Sequence, residues 1–189
     1  MEIEELLIKI ADICNSLKIP YAITGGMAVS VWGRPRFTAD IDIVVELMPK
    51  STGPLAKELL KIDKDVYVSE EAMREALIRK GEFNFIHPQS RLKVDFWIVK
   101  DNFNKQEIKC AKVKKIDGKK INFVSPEGLI LSKLLWFQDS RSTRQLEDIK
   151  SVLAITIVDL KYIKNWAKKQ GTLEILNDLL KEVKHEEYI

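Results

Sequence analysis

The run Ala39-Asp40-Ile41-Asp42-Ile43-Val44-Val45 constrains this chain more than any other stretch. Its isoleucines and valines mark a strand entering a core. Side chains two residues apart on a strand point to the same face, so Asp40 and Asp42 stand side by side. Two carboxylates held that close repel. One is driven to take up a proton unless a positive charge lies between them, and a divalent metal is the usual remedy.

Around this strand the hydrophobic period changes along the chain. Residues 2–18 carry Ile3, Leu6, Leu7, Ile10, Ile13, Cys14 and Leu17 at helical steps, and Pro20 follows. A short strand is expected at 21–24, then Gly25-Gly26, then a short helix over 27–32 stopped by Gly33 and Pro35. The aspartate strand covers about 41–47, and helices follow near 52–62 and 69–80. Strands 83–87 and 92–99 flank a Pro88-Gln89-Ser90-Arg91 turn and read as a hairpin. Residues 108–124 read as a second hairpin turning at Asp117-Gly118. Ser125-Pro126-Glu127 then opens a helix with an N-cap serine, a proline at the first helical position and an early acid. Everything beyond reads as helix, over 126–139, 143–155, 158–169 and 172–186. The 189 residues suffice for one domain or two small lobes. An α+β fold is expected: a mixed β-sheet with flanking helices in a core of residues 1–125, followed by a C-terminal helical region over 126–189 that packs on it.

A third acid joins the pair. Asp95 is alone inside Leu92-Lys93-Val94-Asp95-Phe96-Trp97-Ile98-Val99, and an isolated buried carboxylate is costly. If that strand lies beside the aspartate strand, Asp40, Asp42 and Asp95 form a hard-oxygen set suited to Mg²⁺ or Mn²⁺. Such sets bridge phosphate oxygens and can hold two metals. A single strand aspartate is more often a solvent-facing residue, and an Asp-x-Asp pair alone is more often not a metal site. The pair becomes specific when strand, Gly-Gly and helix precede it and a third strand acid follows. Gly25 and Gly26 let the backbone approach a ligand, and a helix N-terminus behind them offers N–H groups to a phosphate.

Other classes of function are disfavoured. Cys14 and Cys110 have no disulfide or zinc spacing, so a reducing cytoplasm is expected. His87 and His185 are the only histidines, which disfavours histidine triads and His-rich metal sites. The amphipathic, acidic start is not a signal peptide. No apolar run reaches the ~18 residues a membrane span needs. A net charge of +3 permits a nucleic-acid partner without announcing one. The lysines at 109, 112, 114, 115, 119 and 120 read first as a solvated hairpin and second as an RNA-backbone stripe. Trp32, Trp97, Trp136 and Trp166 read as core. Lys133, set among Ile130, Leu131, Leu134 and Leu135, must snorkel outward or meet an anion.

Taken together, strand, Gly25-Gly26, helix, Asp40-x-Asp42 and a later strand Asp95 resemble the DNA polymerase beta-like nucleotidyltransferase superfamily. Arg36-Phe37-Thr38-Ala39-Asp40-Ile41-Asp42 looks like the Arg-x-Thr-x-Asp-Ile-Asp variant of its small prokaryotic and abortive-infection (AbiEii-like) branch. The match covers residues 21–99. The segment from Ser125 to Leu135, followed by Arg144-Gln145-Leu146-Glu147-Asp148-Ile149, is similar to that branch's helical motif. Gln145 stands where many relatives have Asp. The resemblance implies Mg²⁺-dependent transfer of a nucleoside monophosphate from an NTP to an acceptor hydroxyl, with release of pyrophosphate. Asp40, Asp42 and Asp95 would be the metal-holding, catalytic acids. Gly25, Gly26, Arg36, Lys133 and Asp148 would serve the nucleotide. The acceptor would be an RNA end, a protein side chain or a small molecule such as an antibiotic. Two other readings stand beside this one: a non-catalytic partner of the same fold in a toxin–antitoxin-like pair, and metal-dependent phosphodiester hydrolysis.

Overall fold

The computed structural model describes residues 1–186; the last three positions of the expected helical region lie outside the described residues. The elements are α1 (Ile3–Ser16), β1 (Tyr21–Thr24), α2 (Gly25–Trp32), β2 (Asp40–Val45), α3 (Thr52–Leu60), α4 (Glu70–Arg79), β3 (Glu82–His87) and β4 (Leu92–Ile98). They continue as α5 (Asn102–Lys109), β5 (Lys112–Ile116), β6 (Lys119–Phe123), α6 (Pro126–Ser140), α7 (Thr143–Ile155), α8 (Leu160–Gln170) and α9 (Leu173–Glu186). The chain divides into two compact units. One comprises residues 1–27 with 37–124, the other residues 28–36 with 125 onward.

The first unit is built on a six-stranded mixed sheet in the order β3-β4-β2-β1-β6-β5. Strand β2 is central, parallel to β4 and antiparallel to β1. One face is apolar across its centre: Ile23, Ile41, Ile43, Val45, Val94, Phe96, Phe83 and Phe85 are all buried. Phe83 and Phe96 stack with ring centroids 4.6 Å apart. A buried Leu, Ile or Phe side chain is worth about 1.5–3 kcal/mol, so this face fixes the register. A slip of one residue would turn all these groups out and bring Asp40 and Asp42 in. Helix α1 buries Leu6, Leu7, Ile10, Ala11 and Cys14, the stripe its spacing predicts.

Two stretches depart from expectation. Residues 102–109 form helix α5, capped by Asp101, whose side chain accepts from the Asn104 N–H. The second hairpin is therefore shorter, with strands at 112–116 and 119–123. Helix α2 starts at the glycines themselves, and strand β2 starts at Asp40.

In the second unit, Ser125 caps α6 by accepting from the Gly128 N–H, with Pro126 at the first position. Residues 128–134 of α6 are buried without a break, Lys133 included. Helix α6 packs against α7 and α8, and α8 against α9. No helix among the described residues is long and apolar enough to cross a membrane.

Candidate functional site

The polar face of the sheet follows from register alone. Asp42 pairs with Asp95 across β2 and β4, Asp40 with Lys93, and Thr24 of β1 with Asp42. Directly opposed residues point to the same side. Asn84 of β3 is the partner of Asp95 on its other flank. One face therefore carries Thr24, Asp40, Asp42, Asn84, Lys93, Asp95 and Trp97 together. The condition set by the sequence, that the Asp95 strand lie beside the aspartate strand, is met.

The glycines explain how Asp42 is seated. Gly25 has φ +61°, and a Cβ there would lie 1.9 Å from Asp42 Oδ2. A Cβ on Gly26 would lie 2.7 Å from Thr38 Oγ1. The bare side of each glycine is thus filled by a residue of the Arg36–Asp42 stretch. Thr38 in turn donates to the Asp40 carbonyl at 3.2 Å. The carboxylate of Asp42 lies against the first residue of α2, where the helix dipole favours negative charge. Trp97 Nε1 donates to Asp42 Oδ1 at 3.3 Å, so Trp97 is a site residue and only half-buried.

Asp95 is held from two sides. Lys93 Nζ lies 2.8 Å from its Oδ1, and Asn84 Nδ2 donates to the same oxygen. The hydrogen bond to Asp95 holds the Lys93 ammonium above its usual range. Partial burial and the charge of Asp95 push the Glu82 carboxyl up. Neither Lys93 nor Asn84 was singled out from the sequence. The alternation rule that joins Asp40 to Asp42 joins Lys93 to Asp95 as well, and was the available signal.

The fit to a divalent cation is one of chemistry and face. All three acids are hard-oxygen donors on one side of the sheet. Beside Asp42, the Thr24 hydroxyl is buried and has no hydrogen-bond partner. A polar atom left so is expensive unless something joins it. Among the described residues, however, no three of His, Cys, Asp and Glu are gathered closely enough to bracket a metal. Lys93 supplies the counter-charge at Asp95.

The second unit holds the other candidates. Asp148, 4% exposed, takes Arg36 on both oxygens at 2.7 and 2.8 Å and Lys133 at 2.7 Å. Lys133, 3% exposed, also donates to Gln145 at 2.9 Å and lies over the Trp136 ring. Burial pushes the Asp148 carboxyl up, but the hydrogen bonds from Arg36 and Lys133 outweigh it and hold it below the usual carboxylate range. The anion that Lys133 meets is Asp148, a buried pair whose partners depend on each other. Next to this network a cleft of about 540 Å³ is lined by Arg34, Arg36, Arg144, Glu147, Asp148 and Ser151, among others.

Solved structures of similar shape share this fold. An antigenic nucleotidyltransferase-like protein from Paracoccidioides brasiliensis matches with a TM-score of 0.58 at 19% identity, over 96% of this chain and 91% of that one. The antibiotic-resistance factor ANT(2'')-Ia matches with a TM-score of 0.59 at 13% identity, over 98% and 96%. The lincosamide antibiotic adenylyltransferase LnuA, with lincomycin bound, matches with a TM-score of 0.53 at 18% identity, over 82% and 98%. No family model matches the chain, and neither does any curated protein. The fold is that of the nucleotidyltransferases: a six-stranded mixed sheet with flanking helices and a C-terminal helical region.

Proposed function

We propose that this protein is a metal-dependent nucleotidyltransferase, moving a nucleoside monophosphate from an NTP to an acceptor hydroxyl and releasing pyrophosphate. The observation that carries the reading is the Asp42–Asp95 register, with Asp40 on the same face and Thr24 and Gly25 beside Asp42. An acidic face of this kind, on a sheet whose other face buries apolar side chains, suits phosphoryl chemistry, which needs charge neutralisation and positioning above all.

Asp40 and Asp42 would hold Mg²⁺ or Mn²⁺. Such an ion neutralises the triphosphate and stabilises charge that develops in the transition state. The chain's own residues do the rest. Gly25 leaves room for Asp42, and Trp97 fixes one of its oxygens. Gly26 seats Thr38, which anchors the backbone of Asp40. Thr24 offers a hydroxyl lacking a partner to a substrate oxygen. Asp95, with Oδ1 fixed by Lys93 and Asn84, is oriented to accept the proton of the incoming hydroxyl. Within the second unit, Arg36, Lys133 and Asp148 would serve a nucleotide as one group, since Asp148 ties the two cations together.

A small-molecule acceptor is favoured over RNA or protein. Support comes from the antibiotic-directed neighbours, one of which spans nearly the same length as this chain. The small prokaryotic, AbiEii-like branch is retained on the Arg36–Asp42 pattern, and a cytoplasmic location on the two free thiols. Incubation with each α-³²P-labelled NTP, Mg²⁺ and a panel of hydroxyl compounds tests the reading. Label should appear on an acceptor with wild type and not with Asp42→Asn. Label released without transfer would point to hydrolysis instead.

A further inference from the structure

We propose that Lys93 is a built-in counter-ion taking the place of a second divalent cation, so that this chain binds one metal where its three acids alone would bind two. The inference rests on the metal-site reading above and concerns what each acid does within it.

Lys93 and Asp95 are two residues apart on β4 and share its polar side. The ammonium lies 2.8 Å from Asp95 Oδ1. Its register partner on β2 is Asp40, so the same cation also faces the acid pair. Asn84 donates to the same Oδ1 from the other flanking strand. A metal bridging Asp42 and Asp95 through that oxygen would have to displace both donors. The pair is well placed to resist: the Asp95 side chain is 11% exposed, and Lys93 reaches it from a side chain that is 40% exposed. The acids share a face, yet no three of His, Cys, Asp and Glu bracket an ion among the described residues, and the cation beside Asp95 is Lys93. One Asp95 oxygen is fixed by a lysine and an amide, and Oδ2 remains for a substrate hydroxyl. That arrangement suits a proton acceptor better than a metal ligand.

Counting bound Mn²⁺ tests this. Electron paramagnetic resonance would follow Mn²⁺ uptake with a non-hydrolysable analogue of each NTP. Wild type, Lys93→Met, Lys93→Arg and the Lys93→Met/Asp95→Asn double variant would be compared, each first checked for a cooperative thermal melt. Wild type should hold one ion per chain, and Lys93→Arg, which keeps the charge, should match it. Lys93→Met should take up a second ion, or bind Mn²⁺ about fivefold tighter or more, the scale of a lost ion pair. Adding Asp95→Asn should abolish the gain. Two ions in wild type, or no change in Lys93→Met, would overturn the inference while leaving the metal site standing. No Mn²⁺ in any variant would overturn the metal-site reading itself, and this inference with it.

Discussion

The carboxylate of Asp42 occupies the space a side chain on Gly25 would need: Oδ2 lies 1.9 Å from where that Cβ would be. Two residues seventeen positions apart are therefore fitted to each other, and the fit joins the first turn of α2 to the middle of the acidic strand.

Gly25→Ala should be severe on two counts. Its φ of +61° is a left-handed conformation that costs an L-residue about 1–2 kcal/mol, and the new methyl would collide with Asp42. The expected outcome is a clear fall in melting temperature together with loss of nucleotide binding. Wild-type melting and wild-type binding would show that Asp42 is not held against this glycine.

Thr24→Val should separate stability from function. The Thr24 hydroxyl is buried without a partner, a state that costs about 1–3 kcal/mol. Replacing it with a methyl of the same shape should raise the melting temperature while weakening nucleotide affinity. A stability gain with unchanged affinity would mark Thr24 as a structural residue only.

Removing Asp148 should damage the second unit. It leaves Lys133, 3% exposed, without its counter-charge, and breaking such a buried pair costs about 3–5 kcal/mol. Denaturant unfolding of Asp148→Asn should show a loss of this order.

The same network predicts an acid dependence. The Asp148 pKa is lowered in the folded protein, so the unfolded chain binds more protons near its ordinary value. The stability Asp148 contributes is complete above the unfolded carboxylate pKa of about 4, and is lost as pH falls through the lower folded value. The stability gap between wild type and Asp148→Asn should hold from neutral pH to about pH 4 and close below it. A gap that closes as pH rises would contradict the ion-pair account.

Much of this was legible from residue spacing. The period-two pattern of Ile41, Ile43 and Val45 set the buried face, and by the same step it set Asp40 and Asp42 on the other. The cap Ser125-Pro126-Glu127 marked the start of α6 to the residue. Helix α5 was missed because Asn102-Phe103-Asn104-Lys105-Gln106-Glu107 is polar at most positions and buries only Phe103 and Glu107. Its one signal was Asp101 as a cap, and local caps outside an apolar stripe are easily read as loop. The alternation of Phe83 and Phe85 with Val94 and Phe96 puts Asn84 and Asp95 on the polar face, but which two residues stand opposite each other depends also on the turn, where Arg91 takes φ +58°. The bidentate grip of Arg36 on Asp148 spans 112 positions and has no local signature.

The central claim is that Asp40 and Asp42 form a metal-dependent nucleotide site. Calorimetric titration of ATP, GTP, CTP and UTP with Mg²⁺ into wild type and the Asp40→Asn/Asp42→Asn variant tests it most directly. Trp97 can still donate to an asparagine oxygen at position 42, so the variant should fold with unchanged or slightly raised stability, relieved of carboxylate repulsion. The account predicts heat of binding for at least one NTP with wild type, and none with the variant. Equal binding by both proteins, or by neither, would contradict it.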